Sequence, residues 1–140
     1  MQIHQSAEDY LETILMLSQR MGKVRSIDVV NELGFTKASV SIAMKKLREN
    51  GYIAVDGEGN LTLLEPGLEI AQRIYSRHQL LTHFFVQLGV DEQTAAEDAC
   101  KAEHILSEQT LEKIREYALL HDAEGSVQKS ELSLIHISEP

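Results

Sequence analysis

The stretch that decides the fold is residues 26–51, which read SIDVVNELGFTKASVSIAMKKLRENG. Its first half has apolar side chains at helical spacing after Ser26 and ends at Gly34. Its second half begins at the helix-capping residue Thr36, and its apolar residues recur at intervals of three and four until Gly51. A short helix, a glycine-containing turn and a longer helix are typical of a helix-turn-helix.

Two β-prone runs follow the helix-turn-helix. They are residues 52–55 and 61–64, and the residues between them, DGEGN at 56–60, are typical of a hairpin loop. A hairpin that directly follows a helix-turn-helix predicts a wing. Ahead of both, apolar residues at helical spacing predict a first helix from about Ser6 to Met21.

The second half of the chain is predicted to be entirely helical. Pro66 marks the start of a long helix that ends at Gly89, since proline is favoured in the first helical turn. Asp91 caps a fifth helix that continues through about Leu106, and a sixth helix follows as far as about His121. The fold class expected from this pattern is mainly α, with an N-terminal winged helix-turn-helix.

The composition is that of an ordinary soluble globular protein, with 43% hydrophobic and 25% charged residues among 140. There is no run of 18 or more apolar residues and no basic flank with an apolar stretch at the start, so we expect neither a membrane span nor a signal peptide. The single cysteine, Cys100, cannot form an internal disulfide, which agrees with the reducing cytoplasm.

The net charge of −9 argues at first against nucleic-acid binding, because that binding depends on basic residues that neutralise phosphates. The charge is unevenly distributed, however. Residues 1–65 carry seven Lys/Arg and nine Asp/Glu, whereas residues 66–140 carry six and thirteen. Residues 36–48 contain four basic residues and no acidic one. The positive charge is therefore concentrated on the second helix of the helix-turn-helix.

This second helix has the side chains expected of a recognition helix. Small polar residues at its N-terminal end would reach base edges, and the cations further along would contact phosphates. The residues predicted to contact DNA are Arg25, Thr36, Lys37, Ala38, Ser39, Ser41, Ile42, Lys45 and Lys46. The alternative is an amphipathic helix with a solvated basic face, and the hairpin that follows favours DNA binding over it.

Potential metal ligands lie on three predicted helices. They are Asp9, Glu12, His78, Cys100, Glu103 and His104. On the predicted fifth helix, the last three lie at positions i, i+3 and i+4 and would therefore share one helical face. Taken singly, each residue type has an ordinary explanation. An acid in the first turn of a helix favours the helix dipole, a histidine on an apolar face can be a core residue, and a cysteine can be a small buried hydrophobic residue. Together they are hard to bury without a cation, because unpaired buried carboxylates are costly.

With these residues the chain resembles the diphtheria toxin repressor and manganese transport regulator family. The resemblance is carried by SAEDYLE at 6–12, SRHQLL at 76–81 and CKAEH at 100–104, in the family's order and spacing over about residues 6–121. It implies a winged-helix domain followed by a helical dimerisation and metal-binding domain. It also implies an Fe(II)- or Mn(II)-activated dimer that represses uptake genes by binding palindromic operators.

The ligands that the resemblance implies are mixed between the two branches of the family. Five residues match ligands of the manganese branch: Asp9, Glu12, His78, Glu103 and His104. Cys100 stands where that branch has a glutamate and the iron branch a cysteine. Conversely, Asp9 stands where the iron branch has a methionine, and Ala96 where it has a histidine. Oxygen ligands suit Mn(II) and a thiolate suits softer Fe(II), Zn(II) or Co(II), so we expect Mn(II) first and Fe(II) second.

These inferences divide the chain into three parts. Residues 1–65 are expected to be the DNA-binding domain, residues 66–122 the metal-binding and dimerisation domain, and residues 123–140 a disordered or non-native tail. The predicted function is that of a cytoplasmic, Mn(II)-responsive repressor that binds DNA as a homodimer, with no membrane and no small organic ligand as partner. The alternatives are an Fe(II)-responsive repressor of the same family and a winged-helix interaction protein without metal sensing.

Two further expectations concern assembly and chemistry. Apolar residues of the last two helices are predicted to form the dimer surface: Ala95, Ala99, Ile105, Leu111, Ile114 and Tyr117. An enzyme that uses Cys100 as nucleophile and His104 as base is disfavoured, because nearby carboxylates raise the pKa of a thiol instead of activating it.

Overall fold

A computed structural model of the protein describes residues 5–125, with side chains described for residues 5–122. Over these residues it contains six helices and three short strands: α1 Gln5–Met21, β1 Val24–Arg25, α2 Ser26–Leu33, α3 Lys37–Glu49, β2 Ile53–Val55, β3 Asn60–Leu63, α4 Glu65–Gln87, α5 Glu92–Ala102 and α6 Glu108–Gly125. The chain divides into two compact units, Met1–Arg73 and Ile74–Pro140, and the boundary falls within α4. Among the described helices, none is long and apolar enough to cross a membrane.

The helix-turn-helix of the N-terminal unit is formed by α2 and α3, as predicted. At the start of α2, the backbone N–H of Arg25 donates to Asp28 Oδ2 at 2.8 Å. Gly34 closes α2 with φ of 73°, a left-handed conformation that glycine adopts without steric cost. Thr36 caps α3, because its Oγ1 accepts a hydrogen bond from the backbone N–H of Ser39 at 3.1 Å. The predicted cap and glycine boundary are therefore confirmed.

The two faces of α3 have different environments. Val40, Met44 and Leu47 are buried on its inner face, where α3 packs with α1 and α2. Fully burying such side chains stabilises the unit by about 1.5–3 kcal/mol each. Ile42 lies on the opposite face and is 58% exposed, as the sequence predicted. The helix is thus held by its apolar face while its polar face remains accessible.

The wing is part of a three-stranded antiparallel sheet with strand order β1-β3-β2. The predicted hairpin is β2 with β3, in which Ile53 pairs with Leu63. Strand β1 was not expected, because two residues are too short to show a periodic pattern. It joins the sheet by pairing Val24 with Leu61. The hairpin prediction is confirmed, and the sheet has one strand more than the sequence indicated.

The C-terminal unit contains α5, α6 and most of α4. Its core consists of Leu80, Leu81, Ala99, Leu111 and Ala118, against which Phe85, Ala102, Leu106 and Ile114 pack. A polar group also joins α4 to α6: His83 Nε2 lies 2.9 Å from Asp122 Oδ1, and Gln87 Nε2 donates to the same oxygen at 2.8 Å. The C-terminal unit is therefore held together by apolar packing and by these hydrogen bonds between α4 and α6.

Two predictions for the C-terminal unit were wrong, the end of α5 and part of the dimer surface. Helix α5 ends at Ala102 and not near Leu106, because the N–H of Ile105 bonds three residues back, to the Ala102 carbonyl at 3.1 Å, and so departs from the α-helical pattern. Ser107 then caps α6 by accepting from the N–H of Thr110 at 3.1 Å. In the predicted dimer surface, Ala95, Ala99 and Leu111 are buried, whereas Ile105 and Tyr117 are 75% and 47% exposed.

The predicted tail at residues 123–140 is mostly not described. Helix α6 extends to Gly125, so the first three residues of this segment are helical. Residues 126–140 lie outside the described residues, and the expectation that they are disordered or non-native stays a prediction.

The start of α4 is packed against the turn between α3 and β2. A Cβ added to Gly67 would overlap the backbone carbonyl oxygen of Tyr52. We therefore expect Gly67→Ala to lower the free energy of unfolding by about 1–3 kcal/mol, the usual cost of overpacking. This loss outweighs the roughly 1 kcal/mol by which helix propensity favours alanine. Urea unfolding followed by circular dichroism measures it.

The matched control is Gly57→Ala in the wing loop, where an added Cβ meets nothing within 4 Å and the backbone has no positive φ. We expect the control to change the free energy of unfolding by less than about 0.5 kcal/mol. Equal stability of the two variants would contradict the close approach of Gly67 to Tyr52.

Candidate metal centre and nucleic-acid interface

The side chain of Glu103 is the most unusual one in the C-terminal unit, because it is charged in type yet 0% exposed. Its Oε2 lies 3.1 Å from Nδ1 of His78, and its Oε1 lies 3.5 Å from Nε2 of His104. The ring of His104 is itself 2% exposed and that of His78 is 22% exposed. A buried carboxylate thus lies between two imidazoles.

The local fold explains how these three side chains meet. His78 projects from α4, one turn after the buried Ile74. Glu103 directly follows Ala102, the last residue of α5, and its N–H still bonds to the Ala99 carbonyl at 2.9 Å. His104 follows in the turn that leads to α6. The end of α5 therefore places the carboxylate of Glu103 against His78 of α4 and beside the imidazole of the next residue, His104.

The chemistry of this group fits a divalent transition metal. A buried ionised carboxylate costs several kcal/mol unless a positive charge or strong hydrogen bonds compensate it. Imidazole nitrogens beside a carboxylate oxygen are donors that Mn(II), Fe(II) and Zn(II) accept. Glu103 could therefore share a metal with the imidazole of His78 or with that of His104, and the role of all three as ligands stays a prediction.

Cys100 is placed differently from the residues with which it was grouped. It lies on the exposed side of α5, whereas Glu103 is completely buried. The predicted common face of Cys100, Glu103 and His104 required a helix through residue 104, and α5 ends at Ala102. Its role as a ligand stays a prediction from the sequence.

The other predicted ligands lie on α1 of the N-terminal unit. Glu12 is buried at 6% exposure, and Asp9 lies one turn earlier and is partly buried. Burial, and then the negative charge of Asp9, raise the pKa of Tyr10 above its usual value. Glu8 lies in the same turn, and its Oε2 accepts a hydrogen bond from Arg73 Nη2 at 3.4 Å.

The predicted DNA-contact residues all lie on accessible positions of the N-terminal unit. The exposed set is Arg25, Thr36, Lys37, Ala38, Ser39, Ser41, Ile42, Lys45 and Lys46. Basic side chains continue into the last turn of α3 with Arg48. The hydroxyls of Thr36 and Ser39 are 2.9 Å apart, so the helix cap and the predicted base-contact end of α3 use the same side chains. Contact of these residues with DNA stays a prediction.

The wing tip is acidic, which sequence reasoning did not weigh. Asp56 Oδ1 accepts hydrogen bonds from the N–H groups of Glu58 and Asn60, both at 2.9 Å. Hydrogen bonds from Asn60 and the neighbouring backbone lower the pKa of Asp56, so this carboxyl stays ionised. Arg25 lies against the wing at Gly59, where a Cβ would come within 3.3 Å of its Nη2. The cationic surface therefore belongs to α3 and Arg25, and the loop tip is negative.

Arg77 is a residue of the metal-binding unit that the sequence reasoning missed. Its guanidinium donates to the backbone carbonyl of Glu103 at 3.1 Å and to Glu108 Oε1 at 2.9 Å. The only sequence signal was its position directly before His78 in the SRHQLL segment.

Comparisons with known proteins match both units. Two family profiles cover the chain in order: "Iron dependent repressor, N-terminal DNA binding domain" over residues 2–61, and "Iron dependent repressor, metal binding and dimerisation domain" over residues 64–120. Together they account for more than half of the chain. They describe a DNA-binding domain followed by a dimerisation domain, which is the predicted domain order.

Individual relatives agree with these profiles. An uncharacterized HTH-type transcriptional regulator of Methanocaldococcus jannaschii is 37% identical over 79% of this chain and 90% of that protein. The HTH-type transcriptional regulator MntR of Lysinibacillus sphaericus is 31% identical over 89% of each.

A solved structure described as a manganese-dependent transcriptional repressor complex with manganese superposes with a TM-score of 0.74 and 27% identity. The match covers 80% of this chain but only 52% of that one, so this chain spans about half of its length. The fold, the order of the two domains and the sequence matches agree: the chain belongs to the iron-dependent repressor family, whose members are metal-dependent transcriptional regulators and not enzymes.

Proposed function

We propose that the protein is a Mn(II)-responsive repressor that binds a palindromic operator as a homodimer. The observation that carries the proposal is the buried Glu103 carboxylate between His78 and His104. The names of similar proteins support the choice of metal, since both MntR and the matched solved structure are described by manganese. Fe(II) is the second candidate, because Cys100 offers a softer ligand.

The proposed ligand set extends beyond these three residues. Asp9 and Glu12 of α1 and Cys100 of α5 join it because they match ligand positions of the family in sequence. When bound, a divalent cation would supply the positive charge that offsets mutually repelling carboxylates. Ligands contributed from both units would make metal binding and DNA binding interdependent, and a coupling of about 1–3 kcal/mol changes operator affinity about 5- to 150-fold.

The proposed DNA contact is made by the exposed face of α3. Side chains near Thr36 and Ser39 would reach base edges, while Lys45 and Lys46 would contact phosphates. In a two-fold dimer, two such helices read half-sites about one helical turn of DNA apart, or a multiple of it, which makes the operator palindromic. The dimerisation domain that the family profile describes provides the second copy.

The direct test is an electrophoretic mobility shift with the protein's own promoter region. We expect the retarded band to require Mn(II), to disappear with EDTA and to return when Mn(II) is added in excess. Operator binding that is unaffected by the chelator would instead favour the winged-helix protein without metal sensing.

Removal of the central ligand tests the metal site. We expect Glu103→Gln to weaken Mn(II) binding by more than the about 10- to 100-fold typical of outer-sphere changes, because the amide cannot replace a charged oxygen donor. Isothermal titration calorimetry measures the affinity. The matched control is Glu97→Gln, an exposed acid of α5, which should bind Mn(II) as the wild type does. Equal losses in both variants would contradict the site.

Replacement of the cysteine tests the choice of metal. Because a carboxylate is a harder ligand than a thiolate, we expect Cys100→Glu to raise the affinity for Mn(II) relative to Zn(II) and Fe(II). Competition titrations of the wild type and the variant give these ratios. A ratio that does not change would exclude Cys100 from the ligand set.

The DNA surface is tested by the salt dependence of binding. We expect Lys45→Ala to weaken binding to all sequences and to reduce the slope of log K against log salt by about 1, as loss of one phosphate contact does. The matched control is Lys113→Ala on α6, whose side chain is 70% exposed. A slope that changes equally in both variants would place the phosphate contacts elsewhere.

A further inference from the structure

The side chain of Arg77 connects three elements of the C-terminal unit. It extends from α4, where it directly precedes His78. Its Nη1 donates to the backbone carbonyl of Glu103 at the end of α5, and its Nη2 donates to the carboxylate of Glu108 in the first turn of α6. The Arg77 side chain is 16% exposed, so most of it is enclosed while it makes these contacts.

Both contacts are placed where helix ends require a partner. The last carbonyl groups of a helix receive no hydrogen bond from an N–H of the same helix, and they form the negative end of the helix dipole. A guanidinium is therefore favoured at the end of α5. Glu108 lies at the positive end of α6, where a carboxylate is favoured. One cation therefore fixes the end of α5 and the start of α6 to α4.

The segment that Arg77 holds carries two of the proposed ligands. Glu103 and His104 lie in the turn after Ala102, where the regular α-helical hydrogen bonding stops. Arg77 binds the main chain of Glu103, and the adjacent His78 lies against its side chain at 3.1 Å. Two successive residues of α4 thus determine both the position of the Glu103 backbone and the direction of its carboxylate.

The two contacts of Arg77 differ in their expected importance. Glu108 is 79% exposed, and ion pairs that reach into solvent are screened and contribute little. The bond to the Glu103 carbonyl is part-buried and charge-assisted, a kind of hydrogen bond that is stronger and more directional. The contact that bears on the proposed metal site is therefore the stronger one.

We propose that Arg77 is a positioning residue of the metal centre: it does not bind the metal, but it holds the Glu103 and His104 turn in the geometry that binding requires. The inference rests on the proposed function, because it presupposes that these residues bind a metal. Residues that orient metal ligands typically change metal affinity about 10- to 100-fold when they are replaced.

The test compares Mn(II) affinity and the visible absorption spectrum of bound Co(II) in the wild type, Arg77→Gln, Arg77→Lys and Glu108→Gln. We expect Arg77→Gln to weaken Mn(II) binding about 10- to 100-fold and to change the intensity of the Co(II) bands, which report the coordination geometry. Arg77→Lys should recover part of the affinity, because an ammonium can still donate to the carbonyl. Glu108→Gln should remain close to the wild type in both measurements.

Two controls distinguish a role of Arg77 in the metal site from a role in stability alone. They are urea unfolding of the metal-free proteins and the variant Arg115→Gln. Arg115 is a similarly enclosed arginine, 28% exposed and 3.7 Å from Glu112, and its replacement should leave the Co(II) spectrum unchanged. The inference is overturned if Arg77→Gln loses stability but keeps the affinity and the Co(II) spectrum of the wild type. If Arg77→Gln does not fold, Arg77→Lys decides in the same way.

Failure of the proposed function gives a different result. If the wild-type protein binds neither Mn(II) nor Co(II), the metal site itself is absent and the role of Arg77 falls with it. If the wild type binds both metals and every Arg77 variant binds them equally well, only the inference about Arg77 is wrong.

Discussion

The constraint on which the C-terminal unit depends is the burial of one carboxylate. Glu103 is inaccessible to solvent, and an ionised group in that position needs compensation from its surroundings. His78 and His104 lie against its two oxygens, and Arg77 holds its main chain. A buried carboxylate would weaken an ordinary helical core, but here residues of α4 and of the segment between α5 and α6 pack around it.

The end of α5 decides how this group is presented. Glu103 directly follows the last residue of α5 and its carboxylate contacts His78 of α4, whereas Cys100 lies on the exposed side of α5. The carboxylate of Glu103 is therefore buried and the thiol of Cys100 exposed, although the two residues are close in the sequence. In the proposed site, participation of Cys100 would favour iron over manganese, because a thiolate is a softer ligand than the buried imidazoles and carboxylate, which suit either metal.

In the N-terminal unit, one face of α3 is buried in the core and the opposite face carries the residues predicted to contact DNA. Its buried residues hold it in place, and its exposed residues form the cationic surface. The cap Thr36 belongs to both, since its hydroxyl fixes the first turn and also lies at the end predicted to read bases. The ionised Asp56 makes the wing tip negative, so the predicted attraction to phosphates would have to arise from α3 and Arg25.

The sequence by itself determined the features that depend on neighbouring residues. Helix caps such as Thr36, glycine ends such as Gly34 and the apolar period of each helix act over one or two turns, so the helix-turn-helix, the hairpin and the six helices could be predicted. Candidate ligands such as Asp9 and Glu12 could also be named, because they lie one helical turn apart, but their binding to a metal stays a prediction.

Only the tertiary structure decided which distant residues meet. The two-residue strand β1 exists because it pairs with β3, and Gly67 is required because the Tyr52 carbonyl approaches it. The contact between Arg77 and Glu103 joins residues 26 positions apart and leaves no periodic signal. Local hydrogen bonds and apolar periodicity depend on residues that are close in the sequence. Burial, strand pairing and close approach depend on packing between elements, which nearby residues do not specify.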